Sequence, residues 1–146
     1  MSRQFEVVSL NISEAKGERK TPVDSMRLVA DSGIEGDAHA GPGHRQVSLL
    51  AVEDIDAMRR KIDWVSPGDF AENITTRGVE LPALPVGSRL RIGETLLEIT
   101  QIGKECHHGC AIMEQTGDCV MPRRGIFARV LEGGEITNES TGSYDF

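Results

Sequence analysis

Ser88-Arg-Leu-Arg-Ile92-Gly93-Glu94-Thr95-Leu-Leu-Glu-Ile-Thr-Gln-Ile102 decides the fold class. Two runs of strand-forming residues flank the two-residue step Gly93-Glu94, a spacing that predicts a β-hairpin. Working outward, Phe70-Ala-Glu72-Asn73-Ile-Thr-Thr-Arg77-Gly78 is rich in strand formers and closes on a turn glycine. Near the start, Val8, Leu10 and Ile12 alternate with polar neighbours, so 5–12 reads as a strand. Residues 23–30 read as a second strand and 45–50 as a third. On the far side, 126–131 is another, turning at Gly133-Gly134 into Glu135-Ile-Thr. The one strong helical signal is 51–62, where Ile55, Met58 and Ile62 fall at helical spacing. Glu53 and Asp54 stand early in it, and Arg59, Arg60 and Lys61 late, as the helix dipole prefers. Many short strands with one good helix predict a mainly β chain: a closed or nearly closed β-barrel with peripheral helices.

Two loops interrupt this pattern. Residues 13–22 are polar and charged, and Ser32-Gly33-Ile-Glu-Gly36-Asp37-Ala-His39-Ala-Gly41-Pro42-Gly43-His44 holds four glycines in thirteen residues. Such glycine density marks irregular backbone that can approach a ligand. The 146-residue length predicts one domain over 1–146, with a core that needs no staples. A net charge of −7 argues against nucleic acid as partner, and 4% aromatic content argues against a base-stacking platform. No apolar run reaches the roughly 20 residues of a membrane span. The first residues, Met1-Ser-Arg-Gln-Phe-Glu6, lack a signal-peptide core, which predicts a cytoplasmic protein with no membrane partner.

Chemistry concentrates in Cys106-His-His-Gly-Cys110-Ala-Ile-Met-Glu-Gln-Thr-Gly-Asp-Cys119, which holds all three cysteines and two of the four histidines. Three thiols cannot pair completely within one chain, so in a reducing compartment they are free, metal-bound or reactive. Lys104, His107 and His108 surround Cys106 with the positive neighbours that favour a thiolate. The plain alternative is a small buried hydrophobe, the usual fate of a free cysteine. If the stretch is helical, Cys106 and Cys110 share a face, as do His107 and Cys110. Cys106, Cys110, Cys119 and His107 therefore make a candidate zinc set, although the paired C-x2-C spacing of most structural zinc sites is missing.

Downstream, Arg123, Arg124 and Arg129 follow the Met121-Pro122 turn and could receive an anion such as phosphate, or simply lie in surface ion pairs. Arg45 opens a strand directly after the glycine-rich loop, a place to meet a ligand at a barrel rim. Asn73 is polar within an apolar run, so it must bond neighbouring backbone or a heterocyclic ligand. His39 and His44, with Asp37 beside them, are metal or acid–base candidates whose ordinary role in a loop is neither.

Taken in order, Gly33-Ile-Glu-Gly36-Asp37-Ala-His39, Arg45-Gln-Val-Ser-Leu49, Phe70-Ala-Glu72-Asn73-Ile-Thr75, Leu84-Pro-Val-Gly87-Ser-Arg-Leu-Arg-Ile-Gly93, Ile99-Thr-Gln-Ile-Gly-Lys-Glu-Cys106 and Gly125-Ile-Phe-Ala-Arg129-Val-Leu131 resemble the MOSC domain, the module similar to the C-terminal domain of molybdenum cofactor sulfurases. The resemblance covers nearly the whole chain and is closest to short stand-alone bacterial members. It implies a MOSC-type β-barrel and the molybdenum cofactor, a pterin with a dithiolene and a phosphate. Cys106 matches the family's characteristic cysteine, which carries sulfur or ligates the cofactor metal. Arg45, Asn73 and Arg129 match polar pocket positions, and Arg124 joins them as a cofactor-binding candidate. The aminotransferase-like domain of the fused sulfurases has no counterpart here, which implies that pyridoxal phosphate is not bound. The resemblance thus implies a sulfur-carrier or sulfurtransferase-like role in cofactor maturation or delivery, with a cysteine desulfurase or a molybdoenzyme client as partner. The alternatives are a non-catalytic cofactor carrier and a structural zinc domain.

Overall fold

The computed structural model describes residues 2–13, 20–38, 40–43, 45–103 and 124–145. The predicted hairpin is present as β7 (Arg89–Ile92) and β8 (Thr95–Ile102), with Ile92 opposite Thr95 across the two-residue turn. Around it stand β1 (Ser2–Ile12), β5 (Val47–Ala51), β6 (Ile74–Arg77), β9 (Ile126–Glu132) and β11 (Thr141–Asp145). The sheet order is β11-β7-β8-β9-β5-β6-β1, and β1 pairs again with β11, so the seven strands close into a barrel. The mainly β, barrel-type expectation holds. Strand β2 (Thr21–Val23) lies on the distal half of β1, and a second sheet, β10-β3-β4, is built from Gly134–Thr137, Ser25–Val29 and Gly33–Ile34.

Closure removes the sheet edges, and alternation fills the interior. Leu49, Ile74, Leu90, Ile92, Leu97, Ile99, Ile126, Ala128 and Val130 point inward and are fully or almost fully buried. Met26, Leu28, Ile34 and Ile136 of the small sheet join the same core. Strand β1 breaks alternation: Val7 faces Thr76 and Ser9 faces Thr75, so Val8 is an extra, bulged residue. The bulge puts Val7 and Leu10, three residues apart, in the core and leaves Val8 partly exposed.

The pair β5–β6 is parallel, unlike the others in the barrel, and parallel neighbours need a crossover. Helix α1 (Val52–Met58) and the segment after it provide one. Leu50, Ile55, Met58, Val65, Phe70 and Phe127 form a second apolar cluster, between α1, its crossover and the outer barrel wall. The helix is shorter than 51–62: Ala51 ends β5, and after Met58 the backbone continues only in turns. Glu53 and Asp54 do sit in the first turn, but Arg59, Arg60 and Lys61 fall beyond the end, so no basic side chain meets the last turn. Arg59 instead donates from Nε to the Val65 carbonyl at 2.9 Å.

Two other expectations change, and one strand is added. The predicted strand 23–30 is two strands in different sheets, parted at Asp24, whose carbonyl accepts from the Asn138 N–H. The run from Phe70 contributes only Ile74–Arg77 as strand, because Ala71 takes a φ of 64° and Asn73 turns inward as a backbone brace. Strand β11 was not anticipated, and it closes the barrel. Its Gly142 lies opposite Phe5, and a Cβ there would run into the Phe5 ring.

Candidate functional site

The sequence segment that carries Cys106, Cys110, Cys119 and His107, with Lys104, His108 and Arg123, lies outside the described residues, as do His39 and His44. What the structure defines is its root. The chain leaves the wall after β8 at Gly103 and returns at Arg124 before β9, and the Gly103 N–H donates to the Gly125 carbonyl at 2.7 Å. Gln101 sits just before this clamp, where the β8–β9 register shifts between Ile99 and Gln101. Its Nε2 donates to the Gly103 carbonyl at 2.7 Å, and its Oε1 accepts from Arg45 Nε at 3.0 Å. The Arg45 guanidinium lies 5.3 Å from the centroid of the Phe127 ring, at cation–π distance. Arg45 therefore does stand at the rim, and it joins the end of the glycine-rich loop to the root of the cysteine segment.

Arg124 meets two carboxylates. Its Nε lies 2.6 Å from Asp54 Oδ1 of α1, and its terminal nitrogen pairs with Glu80. Its charge is thereby compensated by the shell around it, and its visible work is to tie the returning chain to α1. Arg129 points outward from β9 and pairs with Glu98 across the β8–β9 ladder at 3.1 Å. Arg124, Arg129 and Arg45 hold three different sets of partners.

Asn73 takes the backbone-bracing role of its two sequence readings. It is 1% exposed. Oδ1 accepts from the Ser48 N–H at 3.0 Å and from Ser48 Oγ at 3.2 Å, while Nδ2 donates to the Asn11 carbonyl at 3.1 Å. Those bonds pin β5, β6 and β1 where the bulged strand leaves the barrel.

Around Asn73 lies a buried polar cluster, of which the sequence marks Glu72 and Asn73 as polar residues in an apolar run but not their partners. Asn11 Nδ2 donates to the Glu72 carbonyl and to Thr75 Oγ1, both at 3.2 Å. Glu72 Oε2 accepts from Thr75 Oγ1 at 2.7 Å and from the Gly68 N–H at 3.1 Å, while Oε1 is buried without a hydrogen-bond partner. Burial pushes the Glu72 carboxyl above its ordinary value, against the hydrogen bonds from Thr75 and Gly68 that pull it down. Gly68 itself is required: at φ 96° its missing Cβ leaves room for the Lys20 carbonyl. Lys20 then crosses to the glycine-rich loop, where its Nζ meets Asp37 Oδ1 at 2.8 Å with both side chains fully buried. The Ser13 N–H donates to the same oxygen at 3.0 Å. Asp37 was visible in sequence as a polar residue of that loop. Nothing local in the charged 13–22 stretch marks Lys20 as its buried partner. Among the described residues no group of three or more His, Cys, Asp or Glu side chains could hold a metal. Among them, too, no helix is long and apolar enough to cross a membrane.

Comparison with known proteins agrees with the barrel. The family model described as MOSC domain matches residues 35–141. No curated protein matches the chain in sequence. Among solved structures, the YuaD protein from Bacillus subtilis superposes with a TM-score of 0.82 at 17% identity, covering 100% of this chain and 98% of that one. YiiM from Escherichia coli gives 0.72 at 18% identity, over 99% of this chain and 70% of that one. YiiM from Geobacillus stearothermophilus gives 0.74 at 19%, over 97% and 75%. At these identities the structural likeness establishes the fold.

Proposed function

The chain belongs to the MOSC domain family, and on that premise we propose that it binds the molybdenum cofactor or a pterin precursor and uses Cys106 to carry sulfur or to ligate the metal. The family ties the chain to molybdenum-cofactor-sulfurase-like chemistry; the cofactor and the role of Cys106 are the proposal. The observation that carries it is the position of Arg45, an exposed cation set by Phe127 and Gln101 at the root of the segment that holds Cys106. That arrangement fits a ligand with an anionic end and a sulfur or metal end. A guanidinium fork suits phosphate oxygens, and a thiolate suits both molybdenum and sulfane sulfur. Arg124 and Arg129 are further cofactor-binding candidates in this reading, and Asn73 helps to hold the rim in place.

Sulfur carriage has a balanced form. The Cys106 thiolate attacks the terminal sulfur of a desulfurase cysteine persulfide, that S–S bond breaks, the desulfurase departs as thiolate, and Cys106 is left as the persulfide with no net oxidation. Incubation with a cysteine desulfurase and cysteine, read by peptide mass, should add one sulfur to the Cys106 peptide. The gain should disappear with reductant and in Cys106→Ser. A protein that gains no sulfur confines Cys106 to metal ligation or leaves passive cofactor binding. Release of zinc and loss of stability in Cys106→Ser would instead favour a structural metal.

A further inference from the structure

Arginine partners differ sharply across the described wall. Arg59, Arg77, Arg91, Arg124 and Arg129 each lie within 4.0 Å of a carboxylate. Arg45 has no such carboxylate among the described residues, and neither have Arg27, Arg60 and Arg89; what sets Arg45 apart is its fixed place at the root of the cysteine segment. Its partners are an aromatic face and an amide, both neutral, so its charge is held in place without being cancelled. With Nε occupied by Gln101, the two terminal nitrogens have no hydrogen-bond partner among the described residues and remain for a ligand. The register shift at Gln101 matters here, because such a shift re-aims a side chain out of the alternating pattern. One amide then serves two directions at once, accepting from Arg45 and donating to the Gly103 carbonyl. A carboxylate could do only the first, and an aliphatic side chain neither.

We propose that Gln101 is a positioning residue that aims Arg45 at a phosphate-type anion and fixes it relative to the root of the cysteine segment. The inference rests on the function proposed above only for the identity of the ligand, a phosphate-bearing pterin. Gln101 acts through Arg45 and keeps the anion's charge partner uncompensated; a glutamate there would hold Arg45 equally well and neutralise it.

Titration with inorganic phosphate, followed on the Arg45 Nε–H signal by NMR and by calorimetry for the binding midpoint, tests this. The signal is assigned by its loss in Arg45→Lys. Phosphate should shift it in the parent. Gln101→Met should expose Arg45 Nε–H to rapid exchange and weaken phosphate binding roughly tenfold, the scale of one charge-assisted contact. Gln101→Glu should keep the Nε–H signal, since a carboxylate still accepts, yet abolish the phosphate response. A merely structural Gln101 would not separate those two readouts. Arg77→Ala, on β6, is the site control and should leave the titration unchanged. The proposal is overturned if phosphate leaves the Arg45 signal unmoved in the parent, or if both Gln101 variants titrate with the parent's midpoint. Pterin content, measured on the same preparations, separates the two claims. A parent that lacks pterin but shows the phosphate response rejects the cofactor and retains the role of Gln101. A parent that holds pterin, with both variants unaffected in pterin and phosphate, rejects Gln101 and retains the cofactor.

Discussion

Arg124 Nε lies 2.6 Å from Asp54 Oδ1, so the residue that returns the cysteine segment to the barrel is fastened to the first turn of α1. Asp54 is 13% exposed at its side chain and its Oδ2 has no hydrogen-bond partner, which makes the pair sensitive to loss of the cation. Arg124→Ala should therefore cost stability, about 1–2 kcal/mol for one partly buried charged bond. Asp54→Asn in the Arg124→Ala background should recover part of that loss. Urea unfolding of the four-member cycle measures it; additive effects would show that the pair does not couple.

Asn73→Ala leaves the Ser48 N–H and the Asn11 carbonyl without their buried partners. Each such loss costs about 1–3 kcal/mol, so the variant should be strongly destabilised in the absence of any ligand. Thermal unfolding of ligand-free protein is the check. A variant as stable as the parent would free Asn73 for a direct role in binding.

Glu72 supplies a pH signature. Its carboxyl sits above the ordinary value of 4.5 in the folded chain, so between that value and the raised one the folded state keeps a proton the unfolded state has released. Stability from this group is present below 4.5 and is lost as pH rises through the folded value. Glu72→Gln keeps an oxygen for Gly68 N–H and Thr75 Oγ1 and cannot ionise. The stability of the variant relative to the parent should rise with pH across that window, in paired denaturation curves. A difference that stays flat with pH would contradict a raised carboxyl.

Barrel closure rests on a missing side chain. Phe5 occupies the space a Cβ on Gly142 would fill. Gly142→Ala should cost about 1–3 kcal/mol through overpacking at the seam. Replacing Phe5 with Leu in that background should offset part of the clash, even though each change alone destabilises. Chemical denaturation of the double variant decides it, and a purely additive loss would mean the ring and the glycine do not compete for space.

Sequence patterning read local elements well and long-range ones poorly. The Gly93-Glu94 hairpin and the 126–131 strand carry their signal within a few residues, and both are present. Enough short strands of this kind identify a barrel. The bulge at Val8 depends on pairing with β6, and the break at Asp24 depends on which sheet each half joins, so neither leaves a periodic mark. Strand β11 has a glycine where a strand former is expected, for a reason supplied by Phe5 from the other end of the chain. The site divides the same way. The place of Arg45 at the end of the glycine-rich loop is legible in the sequence. Gln101 and Phe127 became visible only when β8 and β9 were set side by side, and the carboxylates that claim Arg124 and Arg129 come from 70 and 31 residues away.

The most direct test of the account is the content of the protein itself. Purification from a molybdenum-replete host, followed by metal analysis and pterin fluorescence, should find molybdenum and pterin together in the parent. Both should fall in Arg45→Ala, and loss of molybdenum in Cys106→Ser would assign that thiol to metal ligation rather than sulfur carriage. Zinc alone, or neither metal nor pterin in protein from such a host, would contradict the assignment of this barrel to molybdenum cofactor binding.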